Sequence, residues 1–194
     1  MSAQHKNQVR IIGGQYKRRL LKFPDSLALR PTPDRVRETV FNWLGQDLTG
    51  QVCLDLFSGS GGLGFEAASR NAKKVVMVEM AKPVHAALKA NAQMLGANHV
   101  DVILSDAERY LARNTLQFDL VLLDPPFATP LLGKVLPQVV PFLAEDARVY
   151  IECAEWPDLS GWEILREGKA GTVKYAVLCR ASVCDQKISA EIAE

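Results

Sequence analysis

The sequence predicts an α/β domain built on a mostly parallel, seven-stranded sheet that ends in an antiparallel hairpin. From about Gln51 onward, short apolar runs alternate with amphipathic segments of helical spacing. The apolar runs are continuous, which is typical of parallel strands covered by helices on both faces. Near residue 160 the alternation stops, and two strand-like runs follow one another without a helix between them.

Each predicted element follows from a local pattern of residue types. β-Branched and apolar runs mark the strands, and Gly96 marks the end of a helix. The double proline at 125–126 marks the end of the strand that precedes it. The sequence Gly-Lys-Ala-Gly at 168–171 predicts the turn of the final hairpin. We predict strands at 52–57, 74–79, 100–104, 118–123, 147–153, 162–167 and 172–180, and helices at 61–71, 82–95, 106–113 and 131–143.

The first 40 residues concentrate positive charge. They hold nine Lys or Arg residues against three acidic ones, whereas the whole chain of 194 residues has a formal net charge of +1. A basic arm on a mildly acidic body predicts contact with a polyanion, although a solvated tail would have the same composition. We interpret residues 1–30 as a small, hairpin-like basic appendage, residues 31–184 as the main domain, and residues 185–194 as a flexible tail.

A lead-in helix follows the appendage at the segment Arg30-Pro-Thr-Pro-Asp. We expect Thr32 to be its N-cap, with Pro33 at the first helical position. The apolar positions of this helix form a stripe that leaves Arg35 and Arg37 less buried.

A glycine-rich loop joins the first strand of the sheet to its helix. The segment from Asp55 to Gly64 reads Asp-Leu-Phe-Ser-Gly-Ser-Gly-Gly-Leu-Gly, which contains the pattern G-x-G-x-x-G. Glycines let a backbone turn tightly and approach a ligand, and the helix N-terminus beyond offers unpaired N–H groups. The loop predicts a nucleotide-type cofactor, and the glycines alone would also fit a nicotinamide cofactor.

Two acidic residues follow the next two strands. Glu79 lies 24 positions after Asp55, at the end of the second strand, where a carboxylate can accept hydrogen bonds from both hydroxyls of a ribose. Asp106 follows the third strand and can accept from the amino group of an adenine, while the small Ala107 leaves room for the ring. A capping or surface role is the alternative for both acids.

The motif Asp124-Pro125-Pro126-Phe127 directly follows the fourth strand. Two prolines fix the backbone and remove two donors, so the strand end offers a carboxylate and bare carbonyls, which only accept hydrogen bonds. An aromatic ring follows on which a base can stack. These four residues predict a receptor for the exocyclic amine of a nucleobase, because acceptors that hold its N–H bonds favour positive charge on the nitrogen.

Metal and membrane sites are not predicted. The three histidines and four cysteines are dispersed, whereas a structural metal needs clustered ligands. The sequence has no apolar run of the roughly 18 residues that a membrane helix needs, and its first ten residues lack the apolar core of a secretory signal. We therefore expect a cytoplasmic protein without metal.

Taken together, these motifs resemble the RsmD family of class I S-adenosylmethionine-dependent methyltransferases, which have a Rossmann-like fold. The resemblance covers residues 9–180 and is carried by four segments: Arg10-Ile-Ile-Gly-Gly-Gln-Tyr-Lys, Arg30-Pro-Thr-Pro-Asp-Arg-Val-Arg-Glu, Asp55-Leu-Phe-Ser-Gly-Ser-Gly and Asp124-Pro-Pro-Phe. It implies methylation of the N2 amine of a guanine in 16S ribosomal RNA, within the small ribosomal subunit. We expect the protein to act as a monomer.

The resemblance also implies a role for each candidate residue. S-adenosylmethionine would contact the glycine loop and the two strand-end acids: Asp55, Phe57, Ser58, Gly59, Gly61, Glu79, Asp106 and Ala107. The target base would meet Asp124, Pro125, Pro126 and Phe127. The RNA would contact basic residues near the N-terminus: Arg10, Lys17, Arg18, Arg19, Lys22, Arg30 and Arg35.

Three other functions fit part of the pattern. A DNA adenine-N6 or cytosine-N4 methyltransferase uses a similar acceptor motif, but such enzymes usually carry a sizeable base-recognition domain and must flip the base out of a duplex. A nicotinamide-dependent reductase explains the glycines and Glu79 but not Asp124-Pro-Pro-Phe or the terminal hairpin. A non-catalytic RNA-binding protein would have little reason to keep four matching motifs.

Overall fold

A seven-stranded sheet runs through the centre of the molecule. The computed structural model describes residues 7–24, 31–127 and 129–181. In chain order the elements are β1 (Gln8–Arg10), β2 (Leu20–Lys22), α1 (Asp34–Leu44), β3 (Val52–Asp55), α2 (Gly62–Ser69), β4 (Lys74–Glu79), α3 (Lys82–Leu95), β5 (Val100–Leu104), α4 (Ala107–Leu111), β6 (Phe118–Leu123), α5 (Leu131–Val139), β7 (Leu143–Cys153), β8 (Trp162–Ala170) and β9 (Val173–Arg180).

The strand order is β5-β4-β3-β6-β7-β9-β8. The first five strands pair in parallel, and β9 pairs antiparallel with both β7 and β8. Helices cover both faces: α1, α2 and α3 pack with one apolar cluster, and α4 and α5 pack with the other. The predicted fold class, a mostly parallel sheet with a terminal antiparallel hairpin, is confirmed.

Two loops near the sheet differ from the prediction. β3 ends at Asp55 rather than at residue 57, because the Ser58 hydroxyl donates to the Asp55 carbonyl at 3.0 Å and turns the backbone out of the strand. The final hairpin turns at residues 171–172 rather than 168–171, since Ala170 pairs with Val173. Gly168 lies inside β8, where a Cβ atom would come within 2.5 Å of the Tyr175 ring. That glycine permits close packing between strands and does not form the turn.

The segment before β7 also differs from the prediction. α5 ends at Val139, and a 3₁₀ turn occupies Val140–Phe142, where the helix was expected to continue to residue 143. Strand β7 begins at Leu143 rather than at residue 147, because Leu143 pairs with Phe118 of the neighbouring strand β6. Tertiary pairing therefore overrides the weak local signal of this segment.

The basic N-terminal segment is packed onto the main domain. β1 and β2 form an antiparallel pair in which Val9 faces Leu21. Ile11 and Leu21 are completely buried in the apolar cluster shared with α1, α2 and α3. The Asn91 side chain of α3 accepts from the Lys22 N–H and donates to the Lys22 carbonyl. The residues that precede residue 7 lie outside the described part of the chain, as do 25–30 and the expected tail at 185–194.

A buried ionic network holds this segment to the sheet. Glu66, 0% exposed on α2, accepts from the backbone N–H groups of Ile12 and Gly13 at 2.9 and 2.8 Å. It also pairs with Arg37 at 3.4 Å and with Arg70 at 2.8 Å. The expectation that Arg37 stays less buried is wrong: it is completely buried because backbone carbonyls and carboxylates satisfy its guanidinium group.

Removing the Glu66 carboxylate should destabilise the fold strongly. Glu66→Ala leaves two buried guanidinium groups without their shared anion, and breaking a buried pair in this way costs about 3–5 kcal/mol. Urea unfolding of Glu66→Ala should show a loss of that size in the free energy of unfolding. The matched control is Glu38→Ala, an exposed acid on α1, which should change it by no more than about 0.5 kcal/mol. Equal effects of the two substitutions would contradict the assigned role.

Candidate active site

Strands β3 and β6 lie side by side where the sheet changes its direction of growth. From β3 the chain moves outward through β4 to β5, and it then returns to the other side of β3 as β6. Ligands of open parallel sheets bind beyond the carboxyl ends of the strands at such a switch point. Asp55 ends β3 in register with Leu122 of β6, and Asp124 directly follows β6, two residues after Leu122. The topology therefore brings two of the predicted site segments together.

The glycine loop bridges the ends of β3 and β4. The Ser58 N–H donates to the Val78 carbonyl at 3.0 Å, and the Gly59 N–H donates to Glu79 Oε2 at 3.1 Å. Gly61 caps α2 with φ +82°, a left-handed conformation that L side chains rarely adopt. The predicted loop residues thus form one concave backbone turn at the carboxyl edge of the sheet.

Asp55 is buried behind this loop. Its Oδ2 accepts from the Gly64 N–H at 2.9 Å, and a Cβ atom at residue 64 would come within 2.8 Å of the same oxygen. Burial raises the pKa of Asp55 to about 7 despite the hydrogen bonds from the Gly64 and Phe57 backbone. Phe57, whose backbone also forms a hydrogen bond with Asp55, has a half-buried side chain that packs against the second apolar cluster. Asp55 therefore supports the loop from beneath.

Glu79 and Asp106 lie at neighbouring strand ends. Glu79 accepts from Gly59 N–H and, through Oε1, from Ala81 N–H at 2.7 Å. The Ser105 N–H donates to the Glu79 carbonyl at 3.1 Å, which ties the end of β5 to the end of β4. Asp106 is exposed and caps α4, with Oδ1 accepting from Arg109 N–H at 2.8 Å. Both carboxylates keep acceptor capacity beyond these bonds.

Exposed apolar side chains flank these two acids. Met80, next to Glu79, is 73% exposed, and Leu104, two residues before Asp106, is 44% exposed. Ala107, next to Asp106, is buried in the second apolar cluster. Met80 and Leu104 were not predicted as surface features, because an apolar residue at the end of a strand has the same pattern as a continuation of that strand.

The Asp-Pro-Pro-Phe turn projects from the end of β6. Pro125 is buried, whereas Phe127 is 46% exposed. The Pro126 carbonyl accepts from the Thr129 N–H at 3.1 Å and from its hydroxyl at 2.8 Å, which closes the turn. The turn therefore presents an exposed phenyl ring three residues after the Asp124 carboxyl group, and a planar amine can lie on such a ring.

Three further residues form the wall beside Asp124. Thr32 Oγ1 lies 3.3 Å from Asp124 Oδ2 and 2.9 Å from Glu152 Oε1, and the Tyr150 hydroxyl donates to Glu152 at 2.7 Å. The expectation that Thr32 is the N-cap of α1 is wrong: Pro33 holds that position and the Thr32 hydroxyl binds carboxylates instead. The available signal was Glu152, a carboxylate near the end of β7 in the apolar run that pairs with β6.

Burial dominates the electrostatics of this cluster. Desolvation raises the pKa of Asp124 well above its usual value, and the nearby carboxylates of Glu152 and Asp55 raise it further. Desolvation also raises the pKa of Glu152, although the Tyr150 and Thr32 hydroxyls oppose the shift. The pKa of Tyr150 is raised well above 10 by burial and by Glu152. Asp124, Glu152 and Tyr150 thus lie together in a region where loss of contact with water disfavours their negatively charged forms.

The basic residues predicted to contact RNA are mostly exposed. Lys17, Arg18 and Arg19 lie in the segment between β1 and β2. The Arg19 guanidinium donates to the Met94 carbonyl at 3.4 Å. The remaining exposed members are Arg10, Lys22 and Arg35; Arg30 lies outside the described residues.

Arg10 is held near the start of α1. Its guanidinium pairs with Asp34 at 2.9 Å, and its carbonyl accepts from Arg37 at 2.8 Å. One end of the basic segment therefore lies near the start of α1, which begins two residues after Thr32.

In the part of the chain that the structure describes, no group of three His, Cys, Asp or Glu side chains could hold a metal ion.

The crowding at Gly61 makes the loop sensitive to a single methyl group. A Cβ atom there would come within 2.7 Å of Phe65 and 2.8 Å of Leu88, whereas Gly96, with φ +65°, has nothing within 4 Å. Gly96→Ala should therefore lose about 1–2 kcal/mol of unfolding free energy from backbone strain. Gly61→Ala should lose about 1–3 kcal/mol more from overpacking. Equal losses in urea unfolding would show that the loop tolerates the added methyl group.

The chain is similar over most of its length to known proteins. It is 41% identical over 179 residues to the ribosomal RNA small subunit methyltransferase D of Escherichia coli strain K12, covering 89% of this chain and 90% of that protein. It is 40% identical to the Haemophilus influenzae protein of the same name, over 88% of this chain and 93% of that one. The solved structure of yhhF from Escherichia coli matches with a TM-score of 0.82 and 40% identity, covering 90% of this chain and 98% of that chain.

A family match agrees with these relatives. The family described as Conserved hypothetical protein 95 matches residues 9–179, which include the N-terminal segment, the glycine loop and the Asp-Pro-Pro-Phe turn. Its fold, motifs and relatives agree with the resemblance seen in the sequence. The chain belongs to this family, the RsmD family of methyltransferases.

Proposed function

We propose that this protein transfers the methyl group of S-adenosylmethionine to the exocyclic N2 amine of a guanine in 16S ribosomal RNA of the small subunit. The observation that carries the proposal is the acceptor turn at Asp124, which lies directly beside the glycine loop at the switch point of the sheet. The names of the two relatives support ribosomal RNA of the small subunit as the substrate. The family resemblance supports guanine N2 as the atom that is methylated.

The strand-end donors and acceptors suit S-adenosylmethionine. We assign the ribose hydroxyls to Glu79 and the adenine amine to Asp106, with Ala107 beneath the ring. The backbone at Gly59 and Gly61 would approach the methionine part, since the left-handed turn leaves no side chain there. When bound, S-adenosylmethionine supplies an electrophilic methyl group on a sulfonium centre.

The acceptor turn suits an amine whose lone pair is delocalised. Such a nitrogen is a weak nucleophile, and acceptors for its N–H bonds favour the positive charge that develops as the new N–C bond forms. Asp124 and the Pro125 carbonyl would hold the two N–H bonds, while Phe127 stacks on the base. The rigid prolines would hold these acceptors in a fixed position for the amine, and positioning of this kind can contribute much of a rate enhancement.

The basic segment suits the phosphates of folded RNA. We take residues 1–30 as the appendage that contacts RNA and residues 31–184 as the catalytic domain. RNA loops expose their bases, so that a guanine can enter the site without the cost of opening a duplex. The protein would act as a monomer in the cytoplasm, on a particle or on free RNA.

Methyl transfer to small ribosomal subunits tests the proposal. Subunits from cells that lack the activity, incubated with the protein and labelled S-adenosylmethionine, should gain one methyl group at a guanine N2. Asp124→Ala should abolish transfer because the amine loses its acceptor. Its affinity for S-adenosylhomocysteine should stay within about tenfold, or about 1.4 kcal/mol, of that of the unmodified protein.

Three results would contradict the proposal. Label that enters plasmid DNA rather than RNA would favour a DNA amino-methyltransferase. A fully active Asp124→Ala protein would remove the role of the acceptor turn. Tight binding of NADH in place of S-adenosylhomocysteine would indicate a reductase.

Neutralising the basic segment should weaken RNA binding and its dependence on salt. In Arg18→Ala with Arg19→Ala, each lost phosphate contact should reduce the slope of log affinity against log salt by about 0.7–0.9. The matched control removes Arg113 and Lys134, two exposed cations beside α4 and on α5, on the other face of the sheet. The control should leave the slope unchanged. Equal slopes in both double variants would show that the basic segment is only solvated.

A further inference from the structure

The half-buried carboxyl group of Asp124 in the acceptor turn and the buried carboxyl group of Glu152 are joined by one hydroxyl. Thr32 Oγ1 lies between Asp124 Oδ2, at 3.3 Å, and Glu152 Oε1, at 2.9 Å. Glu152 is 4% exposed, and Thr32 is 8% exposed. Tyr150, completely buried, donates to the same Glu152 oxygen at 2.7 Å. These four side chains form a continuous row of oxygen atoms that leads away from the proposed amine site.

Two full hydrogen bonds at Thr32 require one proton more than the hydroxyl groups of this row supply. Thr32 has a single hydroxyl proton, which can be donated fully to only one of the two carboxyl groups. Tyr150 uses its own proton on Glu152. For both contacts of Thr32 to be hydrogen bonds, either Asp124 or Glu152 must therefore carry a proton and donate it to the threonine oxygen.

The surroundings favour retention of that extra proton. Among the described residues, neither carboxyl group forms an ion pair with Lys or Arg. The ionisable groups that act on the pair are Asp55 on β3, Tyr150 on β7 and, through Tyr150, Tyr175 on β9. The Tyr150 hydroxyl favours a charged Glu152 through its hydrogen bond, but none of these groups carries the positive charge that would stabilise a second negative charge. Burial opposes such a charge as well.

We infer that Asp124 and Glu152 share one proton through the Thr32 hydroxyl, and that Glu152 and Thr32 are positioning residues that set the protonation state of Asp124 during methyl transfer. The inference rests on the proposed function for its catalytic part. The shared proton itself is a property of the free protein.

The transfer then balances without any other reactant. Before the reaction the shared proton lies on Glu152, which donates to Thr32, and the Thr32 hydroxyl donates to Asp124. Asp124 therefore meets the amine as a carboxylate. The N–C bond forms as the methyl–sulfur bond breaks, and the sulfur keeps the electron pair. The methylated nitrogen, now positively charged, gives one proton to Asp124, and the pair releases that proton to water as the product leaves.

The pH dependence of kcat distinguishes this arrangement from a merely structural one. Glu152→Gln keeps the size and an acceptor oxygen but cannot carry or release the shared proton, so Asp124 alone titrates in the variant. The upper step, in which the pair loses its shared proton, should then disappear from the pH profile of kcat, while kcat at neutral pH falls by about tenfold or more and KM changes little. A pH profile of unchanged shape, or unchanged activity, would overturn the inference.

The threonine supplies a conservative pair of variants. Thr32→Val removes the hydroxyl at nearly constant volume and should lower kcat to a similar extent, whereas Thr32→Ser should retain most of the activity. Because Thr32 and Glu152 act in one row, the double variant Thr32→Val with Glu152→Gln should lose no more kcat than the less active of the two single variants. Loss of activity in Thr32→Ser equal to that in Thr32→Val would contradict a role for the hydroxyl.

A titration without substrate separates this inference from the proposed function. Carboxyl ¹³C resonances of the full chain, assigned by their loss in Asp124→Asn and Glu152→Gln, should show the pair titrating in two well-separated steps. In each variant the remaining carboxyl group should titrate at lower pH than the upper step of the pair. Two independent titrations near the ordinary values would overturn the shared proton. If the titration is as expected but no RNA is methylated, the proposed function alone fails.

Discussion

The parallel pairing of β3 with β6 is the constraint on which the rest of the site depends. It places the end of β3, with its glycine loop, next to the end of β6, with its rigid acceptor turn. Neither segment could bring a methyl donor and an amine together alone. The hydrogen bonds of the loop to β4, at Val78 and Glu79, then fix the orientation of the loop relative to the sheet. The chemistry of the site is thus a consequence of strand order.

A second constraint links the basic segment to the site. Arg37 donates to the carbonyl groups of Thr32 and Arg10 at 3.1 and 2.8 Å, and pairs with Glu66 on α2. One buried guanidinium group therefore positions the hydroxyl beside Asp124, the first part of the basic segment and the helix behind the glycine loop. The position of the basic segment and the position of the Thr32 hydroxyl beside Asp124 therefore rest on the same contacts.

Most of the fold and the main site segments could be predicted from the sequence, because they depend on local patterns. Continuous apolar runs, glycine spacing and a double proline identified the strands, the loop and the acceptor turn. The errors arose where distant residues decide the outcome. Thr32 has the sequence context of an N-cap, yet two carboxylates more than 90 positions away bind its hydroxyl. Arg37 looked like a surface charge because its partners, the Arg10 carbonyl and Glu66, come from separate segments.

The most direct test of the account is a crystal structure of the protein with S-adenosylhomocysteine. The account predicts the sulfur atom in the gap between the glycine loop and the Asp124 turn, with the ribose on Glu79. A ligand whose sulfur lies away from Asp124 and Phe127, or a turn filled by neighbouring side chains, would contradict it.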